Sequence, residues 1–157
     1  MKLMRCISGK PLGEHGDIVF IGTVESAGET SILRIYPEFC PALLGLERYS
    51  HLIVLYWFHL RDNPEHRKTL QVTPPRHEGA PLTGVFACRS PSRPNPIGMT
   101  VVKIEEMDGC RIVVSGLDAL EGSPIVDLKT YNPDSDSLPD AEVPDYMRHH
   151  GSQGHPA

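Results

Sequence analysis

The sequence predicts a mostly β protein, built as a single-domain β-barrel of short strands with small helical inserts. Three observations favour this class. The 157 residues suit one domain around one core. The 15 prolines and 14 glycines together exceed the roughly 12% share of average proteins, so turns interrupt the chain often. Between the turns lie about seven or eight short apolar and β-branched runs, a spacing typical of a closed or nearly closed barrel.

The elements follow in order from these local patterns. Residues 1–17 form a lead-in of uncertain structure, residues 18–146 hold the barrel, and residues 147–157 form a tail that is expected to be disordered. Residues 26–31 make a tight turn, and residues 41–46 suit one or two helical turns. Strands are predicted at 18–24, 32–36, 49–60, 69–72, 84–88, 99–106, 110–115 and 124–131.

The strand at 49–60 is the clearest part of the predicted core. Its apolar residues fall on both faces, with Ile53, Leu55 and Trp57 on one and Leu52, Val54, Tyr56 and Phe58 on the other. A strand that is apolar on both faces is predicted to be buried on both sides. The segments 99–106 and 110–115 are predicted to form a hairpin that turns at Asp108-Gly109.

The charge of the chain limits how it can bind nucleic acid. Its formal net charge of -5 argues against a protein that coats nucleic acid through bulk charge. Such binding therefore requires a local basic cluster, which is expected to comprise Arg76, Arg89, Arg93 and Lys129. Residues 1–16 carry no apolar run of signal-peptide length, and no stretch approaches the ~20 apolar residues that span a bilayer. We therefore expect a cytoplasmic protein with no membrane partner.

Four cysteines are spread widely along the chain, at Cys6, Cys40, Cys88 and Cys110. None belongs to a C-x-x-C pair, and the spacing is not that of a zinc site, so no metal is expected. Free, largely buried thiols in a reducing cytosol are the favoured interpretation, with disulfides as the minor alternative.

The segment 89–98 is the first candidate for chemistry. Its three prolines fix backbone φ angles, so the loop is stiff and holds Arg89, Arg93 and Asn95 in place. Two guanidinium groups on a stiff loop suit a carboxylate or a phosphate through bidentate hydrogen bonds. The alternative is a rigid connector whose arginines pair with acidic residues of the same chain.

Histidines and acids near strand ends are the other candidates. His51 and His59 flank the central strand about 26 Å apart, too far to share one site. His59 is the better candidate, because it lies where the strand opens into a charged loop. Asp118 lies in a glycine-containing connection, where it could hold ribose hydroxyls or accept a proton. Asp127 and Lys129 share one face of the last strand, where such a pair is more often structural.

Three stretches match the motifs of a known family in order and spacing. They lie within residues 45–59, 84–99 and 117–129, and the central one reads GVFACRSPSRPNPIGM. This central motif is long and unusual in composition, which makes the match specific. Over roughly residues 18–145 the chain resembles the TrmO/YaeB family of S-adenosylmethionine-dependent tRNA methyltransferases.

The resemblance implies a β-barrel methyltransferase without a Rossmann fold. It also implies a homodimer that binds S-adenosylmethionine near the subunit interface and methylates the exocyclic N6 of threonylcarbamoyl-adenosine beside the tRNA anticodon. The implied cofactor contacts are His59, Leu60, Arg89, Met99, Ser115, Gly116, Leu117 and Asp118. The implied contacts to RNA or supports of the loop are Arg93, Asn95 and Lys129. The motifs do not choose a proton acceptor among Asp118, Asp127 and His59.

The sequence departs from the family's pattern at several points. Residues 26–31 form only a tight turn where many members carry a longer insert, and no counterpart of the second, C-terminal domain of longer members is expected. Cys88 and Thr130 stand where threonine and proline are common. Two alternatives therefore stay open: a cofactor-binding barrel that acts on a small molecule or another RNA, and a non-catalytic cofactor-binding regulatory dimer.

Overall fold

Six antiparallel strands close into a barrel. The structure, a computed structural model, describes residues 15–26 and 28–148. Around the barrel the strands follow the order β1-β2-β7-β6-β3-β8, and β8 pairs back with β1. Their bounds are Gly22–Ser26 (β1), Thr30–Ile35 (β2), His51–Trp57 (β3), Ile97–Asp108 (β6), Arg111–Ser115 (β7) and Pro124–Thr130 (β8). Each strand has a neighbour on both sides, so the predicted mostly β barrel is confirmed.

Short elements connect these strands. A separate two-stranded sheet pairs β4 (Gln71–Val72) with β5 (Thr83–Gly84). The helices are one or two turns long, as the prolines and glycines predict. They are 3₁₀ helices at Pro37–Leu43, Leu46–Arg48, His59–Arg61 and Val85–Ala87, and α-helices α1 (Pro64–Arg67), α2 (Pro133–Asp136) and α3 (Asp145–Arg148).

The core fills the inside of the barrel. Along each strand the inward residues alternate with outward ones, because successive side chains point to opposite faces. Burying one such aliphatic side chain stabilises the fold by about 1.5–3 kcal/mol. The fully buried aliphatic residues include Val24, Leu33, Leu52, Val54, Val102, Ile112, Val114 and Ile125.

The central strand β3 is buried along its inner face, whereas on its outer face Trp57 alone is buried, against Phe20 and Arg67. Leu52, Val54 and Tyr56 point into the core, whereas Ile53 and Leu55 are half-buried on the outer wall. The prediction of burial on both sides was wrong because a closed single barrel covers only the inner face of its strands. The outer row is continued by β6, where Met99 pairs with Leu55.

Two other strand predictions need correction. The first strand begins at Gly22 rather than at residue 18, and residues 18–20 are exposed and irregular. The strand predicted at 84–88 ends at Gly84, because its partner β4 is only two residues long. The chain beyond Gly84 has no further ladder to join and winds into a 3₁₀ turn. Predictions for residues 1–14 and 149–157 lie outside the described residues.

The hairpin prediction is confirmed. β6 and β7 pair antiparallel, and the turn between them holds Gly109 at φ 57°. A positive φ is costly for residues with a side chain, so glycine suits this turn. The final strand, predicted at 124–131, is observed as β8.

Cys40 and Cys110 form a disulfide, so the expectation of free thiols is wrong for this pair. The two residues are 70 positions apart in sequence, yet their Cα atoms lie 5.2 Å apart. The backbone N–H of Ile35 donates to the carbonyl of Cys110 at 2.8 Å, which brings the end of β2 against the β6–β7 turn. The chain after β2 then places Cys40 over that turn. Cys88 is a free thiol, and Cys6 lies outside the described residues.

Within residues 15–26 and 28–148, no helix is long and apolar enough to cross a bilayer. The same residues contain no group of three His, Cys, Asp or Glu side chains placed to hold a metal ion.

Candidate active site

The candidate site lies at the end of the barrel where β3 finishes. Tyr56 points inward and is only 4% exposed, and its hydroxyl donates a hydrogen bond to the backbone carbonyl of Asp118. The same hydroxyl lies 3.4 Å from the side-chain oxygen of Thr100. These contacts tie the β7–β8 connection to two strands of the wall. We refer to this region as the Tyr56 end.

Gly98 makes room for the aromatic residues of this end. It pairs with Tyr56 across β6 and β3, and Phe58 packs edge-on against Tyr56 with ring centroids 5.5 Å apart. A Cβ atom on Gly98 would lie 2.6 Å from the Tyr56 ring and 2.8 Å from the Phe58 ring. Only glycine therefore fits beneath both rings without displacing them.

The β7–β8 connection brings Asp118 and His59 to the same end. Gly116 and Gly122 hold φ values of 87° and 82°, which glycine adopts most readily. Leu117 is buried, whereas the neighbouring Asp118 side chain is largely exposed. A Cβ atom on Gly122 would lie 4.0 Å from Nε2 of His59, so the imidazole borders this connection.

Two arginines carry positive charge to the Tyr56 end. An Nη atom of Arg76 lies 3.5 Å from the Asp118 carboxylate, and both side chains are largely exposed. The pKa of Tyr56 is raised, mainly because its hydroxyl is buried and also because the Asp118 carboxylate is negative. The hydrogen bond with Thr100 and the positive charges of Arg76 and Arg89 act in the opposite direction and lower this pKa. Both guanidinium groups thus act on Tyr56. The hydroxyl stays protonated at neutral pH and donates to the Asp118 carbonyl.

Arg89, expected to contact the cofactor, and Arg93, expected to support the loop or contact RNA, differ in their surroundings. One Nη atom of Arg93 donates to the carbonyls of Cys88 and Ser90, each at 3.2 Å, and the guanidinium lies 6.0 Å from the Phe86 ring. Arg93 therefore stabilises its own loop. Arg89 is exposed, and within the described residues its side chain makes no hydrogen bond or ion pair. Arg89 has donors available for a ligand.

Other predicted site residues lie on the outer wall. Met99 points outward because its neighbours Gly98 and Thr100 point inward. Asp127 pairs across the strands with Leu55, and its carboxylate lies 3.0 Å from the Lys129 ammonium. The structure therefore does not bring these residues to the Tyr56 end within one chain.

The remaining predicted residues lie around the same connection or near the stiff loop. Ser115 donates to Glu105 at 2.6 Å on the barrel wall. Leu60 is exposed beside His59, and Asn95 is exposed on the loop. Of the expected basic cluster, the charges of Arg76 and Arg89 both act on Tyr56, Arg93 is bound to its own loop, and Lys129 lies on the outer wall. Sequence reasoning missed Tyr56 and Thr100 as site residues, since both look like ordinary strand positions.

Fold and site together define a class of protein. It is a small closed antiparallel barrel whose candidate site lies at one end, where exposed arginines, an aspartate and a histidine border glycine-containing loops. Residues 22–137 match the model of the tRNA-methyltransferase O N-terminal domain. The chain belongs to this family.

Relatives of known sequence agree with this assignment. A probable S-adenosyl-L-methionine-binding protein of Methanocaldococcus jannaschii is 44% identical over 112 residues, covering 71% of this chain and 89% of that protein. A tRNA (adenine(37)-N6)-methyltransferase of Escherichia coli K12 is 43% identical over 127 residues, covering 78% of this chain and 53% of that protein. The chain thus spans about half the length of the E. coli relative.

Solved structures share the fold. A crystal structure of TrmO superposes with a TM-score of 0.66 at 32% identity, covering 82% of this chain and 63% of that chain. A TrmO crystal structure from Pseudomonas aeruginosa gives a TM-score of 0.63 at 30% identity, covering 82% of this chain and 61% of that chain.

Proposed function

We propose that the chain is an S-adenosylmethionine-dependent methyltransferase that methylates the exocyclic N6 of threonylcarbamoyl-adenosine next to the tRNA anticodon. Family membership and the names of the relatives support the cofactor and the reaction class. The observation that carries the site is the meeting of Arg76, Asp118 and His59 at the Tyr56 end, where the charge of Arg89 also acts on Tyr56. We place the catalytic domain at residues 18–146 and the protein in the cytoplasm.

The residues at the Tyr56 end fit the cofactor. The Arg89 guanidinium offers donors to a carboxylate in bidentate geometry. Backbone groups of residues 115–118 line the connection that Tyr56 holds in place, and Gly116 lets a ligand approach closely. His59 borders the same connection, and Leu60 is exposed beside it. When bound, S-adenosylmethionine supplies an activated sulfonium methyl group.

Asp118 is our first choice for the proton acceptor. The acceptor nitrogen forms a bond to the methyl carbon as the sulfur–carbon bond breaks, and the nitrogen then loses a proton to a base. The Asp118 carboxylate is exposed at the Tyr56 end, where it pairs with Arg76, whereas the Asp127 carboxylate pairs with Lys129 on the outer wall, away from that end. Because placement of the reacting atoms supplies much of the rate, we expect Asp118→Asn to retain part of the activity.

The RNA contact is local. Arg76 and Arg89 face the Tyr56 end, on a chain whose formal net charge is -5. We expect tRNA binding to weaken with salt, since phosphate contacts release counterions. We assign Arg93 and Asn95 to the support of the loop rather than to the first contact with RNA.

We also propose a homodimer through the outer wall of β8, β3 and β6. Ile53 and Leu55 lie there half-buried, and Met99 and Val101 are each 43% exposed. Such a row of apolar side chains on an outer wall is typical of a surface that another chain covers. A dimer through this wall would carry Met99 toward the partner. Analytical ultracentrifugation of Val101→Asp should give a monomer, whereas an unchanged dimer would reject this surface.

Transfer of labelled methyl groups tests the function. Purified protein, labelled S-adenosylmethionine and tRNA with threonylcarbamoyl-adenosine should give methylated tRNA, and tRNA without that modification should not. Arg48→Ala is the matched control for Arg89→Ala, because Arg48 is exposed near the other end of β3. Transfer to unmodified RNA or to a small molecule would favour a cofactor-binding barrel with another methyl acceptor. Cofactor binding without any transfer would favour a non-catalytic regulatory dimer.

A further inference from the structure

Helix α1 contacts the stiff loop that carries Arg89. Nδ1 of His66 lies 2.8 Å from the hydroxyl of Ser92, and Nε of Arg67 donates to the carbonyl of Pro94 at 3.0 Å. Both contacts join segments that are 26 or 27 positions apart in sequence. We refer to residues 89–96, the part of the stiff loop that precedes β6, as the arginine loop.

The ring of His66 is oriented by a second neighbour. An Nη atom of Arg61 lies 3.4 Å from Nε2 of His66. Because a guanidinium can only donate, Nε2 accepts, and in the neutral ring Nδ1 carries the proton. His66 therefore donates to Ser92 and does not remove the proton of its hydroxyl. The pair fixes position and does not activate a nucleophile.

Arg67 connects the arginine loop to the barrel wall. Its Nη donates to one oxygen of Asp62 at 3.0 Å, and the indole N–H of Trp57 donates to the other at 3.1 Å. The Arg67 guanidinium also lies 5.8 Å from the centre of the Trp57 ring, within the range of a cation–π contact. Trp57 is buried in β3, so this chain of contacts begins on a rigid strand.

The arginine loop is held from outside at its C-terminal end and in its middle, while its start is held by Arg93 of the loop itself, which donates to the carbonyls of Cys88 and Ser90. The C-terminal end of the loop is fixed by a hydrogen bond of 2.7 Å from the N–H of Phe58 to the carbonyl of Pro96. Its middle is fixed by α1, and α1 has only four residues. A helix that short is marginal by itself, so its position depends on these tertiary contacts. Loss of Arg67 or His66 would therefore loosen the middle of the loop, and through it the neighbouring segment that presents Arg89.

We propose that His66 and Arg67 are positioning residues that hold the arginine loop so that Arg89 meets the ligand. This inference rests on the cofactor site proposed above. Neither residue touches the Tyr56 end in the contacts described, so each acts through the loop. Loss of one hydrogen bond of this kind typically weakens an interaction about tenfold or less.

A double-mutant cycle on cofactor binding tests the coupling. We expect Arg67→Ala to raise the dissociation constant of S-adenosylmethionine about tenfold in the parent, and far less in an Arg89→Lys background. Arg34→Ala is the matched control, since Arg34 of β2 pairs with Glu25 of β1, away from the loop. Equal effects of Arg67→Ala in both backgrounds would overturn the proposal.

Rescue and hydrogen exchange complete the test. His66→Asn keeps a donor near the position of Nδ1 and should bind cofactor better than His66→Ala. Amide exchange in residues 88–92 should quicken about fivefold in Arg67→Ala without cofactor. Unchanged exchange there would overturn the positioning role even if the parent binds no cofactor. Failure of the parent to bind cofactor would instead reject the proposed function.

Discussion

Replacing Gly98 with alanine should damage the barrel and the Tyr56 end together. The new Cβ would lie 2.6 Å from the Tyr56 ring and 2.8 Å from the Phe58 ring, well inside van der Waals contact. Both rings pack over the backbone of β6 at this point, so one or both must shift. Overpacking of a buried site typically costs about 1–3 kcal/mol. A cost of about 2 kcal/mol corresponds to about 4–8 °C in Tm for a domain of this size.

Urea unfolding measures the stability cost of this change, and calorimetric titration measures cofactor binding. Gly84→Ala is the matched control, because Gly84 also lies in a strand and its nearest new contact would be at 3.9 Å. We expect Gly98→Ala to lose stability and to bind cofactor more weakly, because Tyr56 would leave the Asp118 carbonyl. A Gly98→Ala protein as stable as Gly84→Ala would refute the packing argument.

Three further results are expected. Burial raises the pKa of Tyr56 above 10.0, so above pH 10 the folded state retains a proton that the unfolded state loses. The free energy of unfolding should therefore fall above pH 10 more steeply in the parent than in Tyr56→Phe. The Cys40–Cys110 disulfide joins residues 70 positions apart. On the chain-entropy model its reduction should lower the free energy of unfolding by about 4 kcal/mol. The stability of a Cys40→Ser protein should not change with reductant. Arg76→Ala should change stability by less than about 1 kcal/mol, because its pair with Asp118 is exposed, and should reduce the salt dependence of tRNA binding by about one phosphate contact. An unaltered salt slope for Arg76→Ala would remove this arginine from the RNA contact.

The local patterns of the sequence predict the strands well. The β6–β7 hairpin follows from alternation and from a glycine turn, and both signals act within about ten residues. The burial of β3 could not be predicted from its own residues, because Ile53 and Leu55 are as apolar as Leu52 and Val54. Which face meets the core depends on barrel closure, which is a property of all six strands.

The site was predictable where a single segment carries it. The stiff loop around Arg89 and the connection around Asp118 are visible in the sequence, because proline and glycine restrict or free the backbone locally. The pairing of Cys40 with Cys110 and the approach of Arg76 to Asp118 were not predictable, since both join segments that meet only after folding. The different surroundings of Arg89 and Arg93 arise within the loop, because its backbone path brings the carbonyls of Cys88 and Ser90 to Arg93 and not to Arg89.

The proposed function requires that the Tyr56 end binds S-adenosylmethionine through Arg89. Calorimetric titration of the full chain with S-adenosylmethionine tests it most directly, with Arg89→Ala and Arg48→Ala run beside the parent. We expect saturable binding by the parent and by Arg48→Ala, and at least about tenfold weaker binding by Arg89→Ala, because a charge-assisted contact is lost. Equal binding by parent and Arg89→Ala would contradict the site, and no binding by the parent would contradict the proposed function.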